Sequence, residues 1–263
     1  MVAPDSDNDY RFEAPGLFNN TKSREQVYRL KSVVKRWPGG QGFELSVPEL
    51  TIFRGDKVAL TGLSGCGKST LLDMLAMILP PDSAVEFTFF SENNAQLEIA
   101  EAWRRKDLNR MAKIRMHHLG YVLQTGGLFP FLTIRDNISL SLKALGISVK
   151  NTVEMLTETL GIERHLKKYP AQLSVGERQR VAIARAMAHQ PSVVIADEPT
   201  ASLDPIHAEE IMALFTELAD ERGVTLIMAT HEWKRVEDQG FRLIQFDVRQ
   251  NSIDGSVQTN VVS

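Results

Sequence analysis

At 263 residues, with 43% hydrophobic and 24% charged side chains, the chain can bury a sizeable core as one large domain or two lobes. A net charge of −3 gives no electrostatic case for nucleic-acid binding. No apolar run reaches the ~18 residues of a membrane-spanning helix, and the polar, acidic start over 1–20 lacks the basic and apolar regions of a signal peptide.

Residues 1–25 carry Asp5, Asp7, Asp9 and few apolar anchors, the pattern of a disordered acidic tail. The alternation over 27–33 and again over 43–47, across the glycine-rich turn 39–42, predicts a small antiparallel element. Trp37 sits by that turn, where it can stack on a base or pack its own hairpin. A short apolar strand is expected over 57–61, then Gly62-Leu63-Ser64-Gly65-Cys66-Gly67-Lys68-Ser69-Thr70, then an apolar helix over 71–79 halted by Pro80-Pro81. The nine residues complete G-x-x-x-x-G-K-[ST], and the strand-to-helix setting is the one a phosphate loop requires. Glycines let backbone amides approach an anion, the helix dipole adds to them, Lys68 reaches the outer phosphates of a nucleotide and the Ser69 hydroxyl suits Mg²⁺. Cys66, the single cysteine, excludes an intrachain disulfide, fits a reducing compartment, and serves the loop as a small residue.

A strand is predicted over 85–90, followed by a solvated amphipathic helix bearing Arg104, Arg105, Lys106, Arg110, Lys113 and Arg115. The apolar run 119–124 reads as a buried strand ending at Gln124. The apolar, proline-interrupted stretch 128–132 suits a loop that something else covers. Amphipathic helix follows over 133–168, and again over 176–189 with Val181, Ile183, Ala184 and Met187 inward. A fully apolar strand over 192–196 delivers Asp197 and Glu198, with Glu198 expected on the opposite face of that strand from Asp197. Asp204-Pro205 starts a helix as cap and first residue, with Ile211, Leu214, Phe215 and Leu218 as its buried stripe. A strand over 225–229 runs into His231, and two more, over 241–248 and 252–257, are expected to form a hairpin through 250–251.

Strands and helices that alternate behind a phosphate loop predict an α/β fold with a mainly parallel sheet and its site at the strands' carboxyl ends. Asp197 then suits a divalent cation, Glu198 the polarisation of an attacking water, Gln124 the cation or that water, and His231 either the outer phosphate or a structural role.

Leu173-Ser174-Val175-Gly176-Glu177-Arg178-Gln179-Arg180 and Ala196-Asp197-Glu198-Pro199-Thr200-Ala201-Ser202-Leu203-Asp204 resemble the ATP-binding subunits of ABC transporters, and the resemblance runs over about 28–248. It implies an ATPase with a P-loop, RecA-like core, an N-terminal antiparallel β-subdomain and an inserted helical subdomain at about 125–175. The cassette would occupy 26–250, between the tail 1–25 and a C-terminal strand or tail at 251–263. By resemblance, Trp37 stacks on adenine and Gly62, Ser64, Gly65, Cys66, Gly67, Lys68, Ser69 and Thr70 hold the phosphates of ATP. Ser69, Gln124 and Asp197 would hold Mg²⁺, Glu198 is the general base and His231 the switch histidine. Ser174, Gly176 and Glu177 form the signature, with Asp204 closing the segment 201–204; in this family these complete the site of a second copy bound head to tail.

The phrasing around the signature is most similar to the lipoprotein-releasing and macrolide-efflux group, whose members drive membrane subunits with few spans. That implies a permease partner received at Leu128, Phe129 and Phe131, a peripheral place on the cytoplasmic face of the membrane, and no nucleic acid. The other readings are a regulatory ATPase of an envelope complex without transport, or a soluble ABC protein; the latter class usually has two cassettes or a long coiled coil. Val175 replaces the first glycine of the usual Leu-Ser-Gly-Gly-Gln signature and Glu177 its glutamine. Valine resists φ > 0 and adds bulk, so a less ready closure and a modest basal ATPase activity are expected.

Overall fold

The computed structural model describes residues 24–37, 42–92, 95–149, 151–250 and 256–262. The expected acidic tail (apart from Arg24 and Glu25), the turn 39–42 (apart from Gly42) and the hairpin turn at 251 lie outside them. In chain order come β1 (Gln26–Trp37), β2 (Phe43–Phe53), β3 (Lys57–Thr61), α1 (Lys68–Leu75), β4 (Glu86–Phe90), β5 (Gln96–Glu98), α2 (Ile99–Arg104) and α3 (Leu108–His118). Next are β6 (Leu119–Val122), α4 (Ile134–Ala144), α5 (Thr152–Thr159), α6 (Val175–Met187), β7 (Val193–Asp197), α7 (Pro205–Glu221), β8 (Thr225–Thr230), α8 (Trp233–Asp238), β9 (Arg242–Gln250) and β10 (Val257–Val262).

The strands join in one sheet of order β5-β4-β1-β2-β10-β9-β3-β8-β7-β6. From β9 to β6 every pairing is parallel, whereas β1, β2, β4 and β5 are antiparallel neighbours. β10 joins the halves, antiparallel to β9 and parallel to β2. The last strand therefore begins where the sequence reading ended it, and it lies inside the sheet.

Alternation along the parallel strands feeds two cores, as a sheet covered on both faces requires. Val193, Ile195, Ile227 and Ala229 face the core that holds α1 and the antiparallel strands, while Val194, Ala196, Leu226 and Met228 face α4, α6 and α7. α1 is thus shared between the two halves of the sheet, and the buried Tyr28 hydroxyl donates to the Leu75 carbonyl at 2.9 Å to fix it against β1. Val181, Ile183, Ala184 and Met187 of α6 are fully buried, as are Phe215 and nearly so Ile211 and Leu218 of α7, whereas Leu214 is only half-buried and Met212 takes part in the stripe. β6 fits against α6 only because residue 120 is glycine: a Cβ there would lie 2.3 Å from the Ala186 carbonyl oxygen.

Local backbone chemistry moves several expected boundaries. α1 stops at Leu75 instead of 79, and Met77 turns the chain at φ 56°. The charged helix divides into α2 and α3, because Lys106 adopts φ 56° and the Asp107 carboxylate caps the second piece through the Arg110 amide at 3.3 Å. β6 ends at Val122, so Gln124 stands two residues beyond it. Among the described residues no helix is long and apolar enough to cross a membrane.

His189, at the end of α6, donates from Nε2 to the Leu119 carbonyl at 3.1 Å, and its buried Nδ1 has no partner among the described residues. A second proton would sit on that buried nitrogen, so burial pulls the imidazole from its ordinary 6.5 to about 4, with His117 and His118 adding to the effect. The unfolded chain binds a proton first, so stability falls as the pH drops from 6.5 towards 4. His189→Gln keeps the donor and removes the titration; urea unfolding across that window should show a shallower loss for the variant than for the parent.

Candidate active site

The phosphate loop joins β3 to α1 with Gly67 as N-cap at φ 102°, and no side chain caps the helix among the described residues. The first amides of α1 are therefore left for an anion, with the positive end of the helix dipole behind them. Gly67 is fixed from outside: a Cβ would meet Phe43 Cζ at 3.0 Å and Leu45 Cδ1 at 3.2 Å. Lys68 is 5% exposed and donates to the carbonyls of Gly62 at 2.9 Å and Leu63 at 3.0 Å, so its ammonium lies across the loop. Cys66 is buried under the loop, where burial raises its thiol against the opposing pull of Lys68. A small apolar role fits that environment better than reactivity.

Around the loop lies a cleft of about 460 Å³ that gathers residues from distant parts of the chain. Ser64, Gly65, Gly67, Lys68, Ser69 and Thr70 form one wall. Gln124, Asp197, Glu198 and His231 enter from the ends of β6, β7 and β8 or just beyond them, and Trp37 and Phe43 close the remaining side. Trp37 and Phe43 are register partners across β1 and β2. The sequence reading omitted Phe43; the signal available there was an aromatic that opens the second alternating run directly after the turn. Lys35 places its ammonium 5.1 Å from the Trp37 ring centroid, so the ring serves its own strand while it lines the cleft.

Glu198 does not point away from Asp197. It falls just outside β7 at φ 46°, a conformation rare for a non-glycine residue, and both carboxylates face the cleft. Its amide donates to the Ala229 carbonyl at 3.0 Å, which holds the reversal against β8. The carboxylate takes His231 Nε2 on Oε1 at 2.5 Å, with Gln124 Nε2 3.5 Å from Oε2. One acid is thus oriented by two neighbours, the arrangement a general base needs. The Ser69 hydroxyl, the Gln124 amide oxygen and the Asp197 carboxylate supply hard oxygen donors in the same cleft and fit Mg²⁺. Behind the site Tyr121 donates to Asp73 Oδ1 at 3.0 Å; burial raises the Asp73 carboxyl, the bond opposes this, and nearby Asp197 adds to it.

Ser174, Gly176, Glu177 and Asp204 do not line this cleft. Ser174 is the N-cap of α6 and Asp204 that of α7, each accepting from an amide three residues on at 3.2 Å. The Asp204 carboxyl is held below its ordinary value first by the His207 amide and then by the His207 ring at 2.6 Å. Gly62 contributes its carbonyl to Lys68 without lining the cleft. The strain expected at Val175 is absent: Val175 is the first residue of α6, with no positive φ, and it is 43% exposed. A helix start suits valine sterically, so only its bulk remains as a departure.

Two side chains that the sequence reading passed over, one buried and one half-buried, hold the neighbouring loops. Asn137 accepts from the Phe129 amide at 2.8 Å and donates to the carbonyls of Phe129, Leu132 and Thr133. It thereby shapes the loop that exposes Phe131 at 72%. Arg185 of α6 donates to the carbonyls of Gly126 at 2.9 Å and Gly127 at 2.8 Å, just after Gln124.

Gly67→Ala should lower stability by about 1–3 kcal/mol through backbone strain and the collision with Phe43 and Leu45. Thermal unfolding would measure it; a variant as stable as the parent would remove Gly67 from the account of the loop.

The sequence profile of the ABC transporter family matches residues 45–201. The chain is 37% identical over 224 residues to the macrolide export ATP-binding/permease protein MacB of Shigella flexneri, a match covering 83% of the chain and 33% of MacB, so it spans a third of that relative's length. It is 38% identical over 192 residues to the lipoprotein-releasing system ATP-binding protein LolD of Legionella pneumophila, covering 72% of the chain and 80% of LolD. The dimeric structure of MJ0796, a bacterial ABC transporter cassette, superposes with a TM-score of 0.72 at 30% identity, covering 88% of the chain and 96% of that protein.

Proposed function

We propose a specific division of labour for this chain, which belongs to the ABC transporter family as an ATP-binding, ATP-hydrolysing subunit of the group that includes LolD and MacB. It pairs head to tail with a second cassette and uses ATP to drive a separate membrane subunit in an envelope system for lipoprotein release, efflux or related mechanical work.

The observation that carries the reading is the division of the family's motifs between two places. Phosphate loop, Asp197, Glu198, Gln124 and His231 share one cleft, whereas Ser174, Gly176 and Asp204 stand at helix starts outside it. Each chain then supplies the floor of one site and the cover of another, which fits the dimeric state of the MJ0796 cassette.

Within the floor, the loop amides and Lys68 hold the phosphates of ATP and the ring of Trp37 supports the base. Ser69, Gln124 and Asp197 would hold Mg²⁺, which supplies charge neutralisation on the phosphates. Glu198 accepts a proton from the water that attacks the γ-phosphorus as the bond to ADP breaks, and His231 keeps its carboxylate aimed at that water. The His231 contact at 2.5 Å orients the base without taking its place.

The loop 128–132 is the surface for the membrane subunit. Phe129 and Phe131 form a tilted pair with centroids 5.8 Å apart, and Asn137 fixes the backbone beneath them. This attachment would place the chain at the cytoplasmic face of the membrane.

Glu198→Gln should retain ATP binding, lose turnover by about 10²–10⁴-fold and accumulate as an ATP-bound dimer in size-exclusion chromatography. Turnover near that of the parent would remove Glu198 from its role as base. Phe131→Glu should leave ATP binding intact and abolish co-purification of a membrane protein from mild detergent; full recovery of the complex would contradict the docking surface.

A further inference from the structure

The signature end of α6 carries a carboxylate where the family's usual sequence has an amide, and that carboxylate is fully engaged within the chain. Glu177 Oε2 accepts from the Ser174 amide at 2.8 Å, while Ser174 Oγ accepts from the Glu177 amide at 3.2 Å, a reciprocal capping box. Glu177 Oε1 lies 2.8 Å from His165 Nε2 and 3.6 Å from Arg164 Nη2. His165 is 3% exposed and belongs to the short turn Glu163–His165 between α5 and α6.

The proton on that imidazole can be placed by elimination. Arg164 Nε is 3.0 Å from the same Nε2, and one nitrogen cannot accept from Arg164 while donating to Glu177. Nδ1 is buried without a partner among the described residues. A hydrogen on Nδ1 would leave a buried donor unsatisfied and turn a bare Nε2 towards a carboxylate. A hydrogen on Nε2 satisfies the carboxylate, leaves only a lone pair buried, and turns the Arg164 Nε–H, on a side chain 74% exposed, to water. His165 is therefore the donor and Glu177 the acceptor.

The box also decides what the helix start can offer. Ser174 Oγ uses a lone pair for the Glu177 amide, so its hydroxyl hydrogen is free to donate outwards. The amides of Val175 and Gly176 have no acceptor within the helix. These donors suit a phosphate, but a loose Glu177 carboxylate beside them would repel one.

We propose that His165 is a positioning residue for the signature. It holds Glu177 in the capping box, while Arg164 offsets the charge, so that Ser174 and the first amides of α6 can receive the γ-phosphate of ATP bound on a second copy. The inference rests on the head-to-tail reading above. It assigns to a buried histidine nine residues before the signature serine the task of making glutamate tolerable at position 177.

The test measures ATP-dependent dimerisation by sedimentation in the Glu198→Gln background, with thermal unfolding and ATP affinity of the monomer alongside. His165→Ala should weaken dimerisation by about tenfold, the scale of a lost hydrogen bond to a charged group, with monomer ATP affinity unchanged. His165→Gln, which keeps a donor, should restore it to within about twofold. In a Glu177→Gln chain, whose amide would not repel the phosphate even when loose, His165→Ala should cost less than about twofold. An equal loss with and without Glu177→Gln, or no difference between His165→Ala and His165→Gln, would overturn the inference and leave His165 a packing residue. If the Glu198→Gln parent fails to dimerise with ATP, the head-to-tail reading falls and takes this inference with it. If the parent dimerises and His165→Ala does so equally well, only the inference falls.

Discussion

The seating of α1 between two halves of one sheet is the constraint on which the rest depends. β3 lies among parallel strands, and the helix that follows it is buried against the antiparallel strands as well. The loop between them has no slack: Phe43 and Leu45 of the antiparallel half leave no room for a side chain at Gly67, and Tyr28 ties the other end of α1 to β1. A backbone held from both sides keeps its amides fixed in place. That is the preorganisation electrostatic catalysis requires.

The same sheet sets the distance over which the chemistry is assembled. Parallel strands β6, β7 and β8 end on one edge, and the residues at or just past their ends meet the loop there. The acid at position 198 reaches the cleft because the backbone reverses at φ 46° and is held by the Ala229 carbonyl, a strained geometry of the kind that collects at working sites. On the opposite face of the sheet α6 carries the signature start at one end and, through Arg185, holds the backbone after Gln124. One rigid helix thus touches both the element that would cover a second copy's nucleotide and the loop that leads to Phe131.

Much of this was legible in the sequence, for reasons tied to particular residues. The phosphate loop was readable because its chemistry is local, and the apolar run before Asp197 because a strand buried on both faces needs no alternation. Asp204-Pro205 announced a helix start that the structure repeats. What escaped depends on partners far away in the chain. β10 is placed by pairing with β2, more than two hundred residues earlier, and no local pattern encodes that register. The face taken by Glu198, the ordinary backbone of Val175 and the break at Lys106 follow from single dihedral angles that composition does not reveal. His165, Asn137 and Arg185 read as ordinary polar residues until the fold sets them against a carboxylate and loop carbonyls.

The central claim is that each cleft is half of a site and that a second copy supplies the cover. The most direct measurement mixes two inactive forms, Lys68→Ala, which spoils the floor, and Ser174→Arg, which spoils the cover, and follows ATP turnover. Head-to-tail pairing leaves one wholly intact site in every mixed dimer, so activity should appear on mixing that neither form has alone. A mixture no more active than its components would contradict the account and return both halves of the chemistry to a single chain.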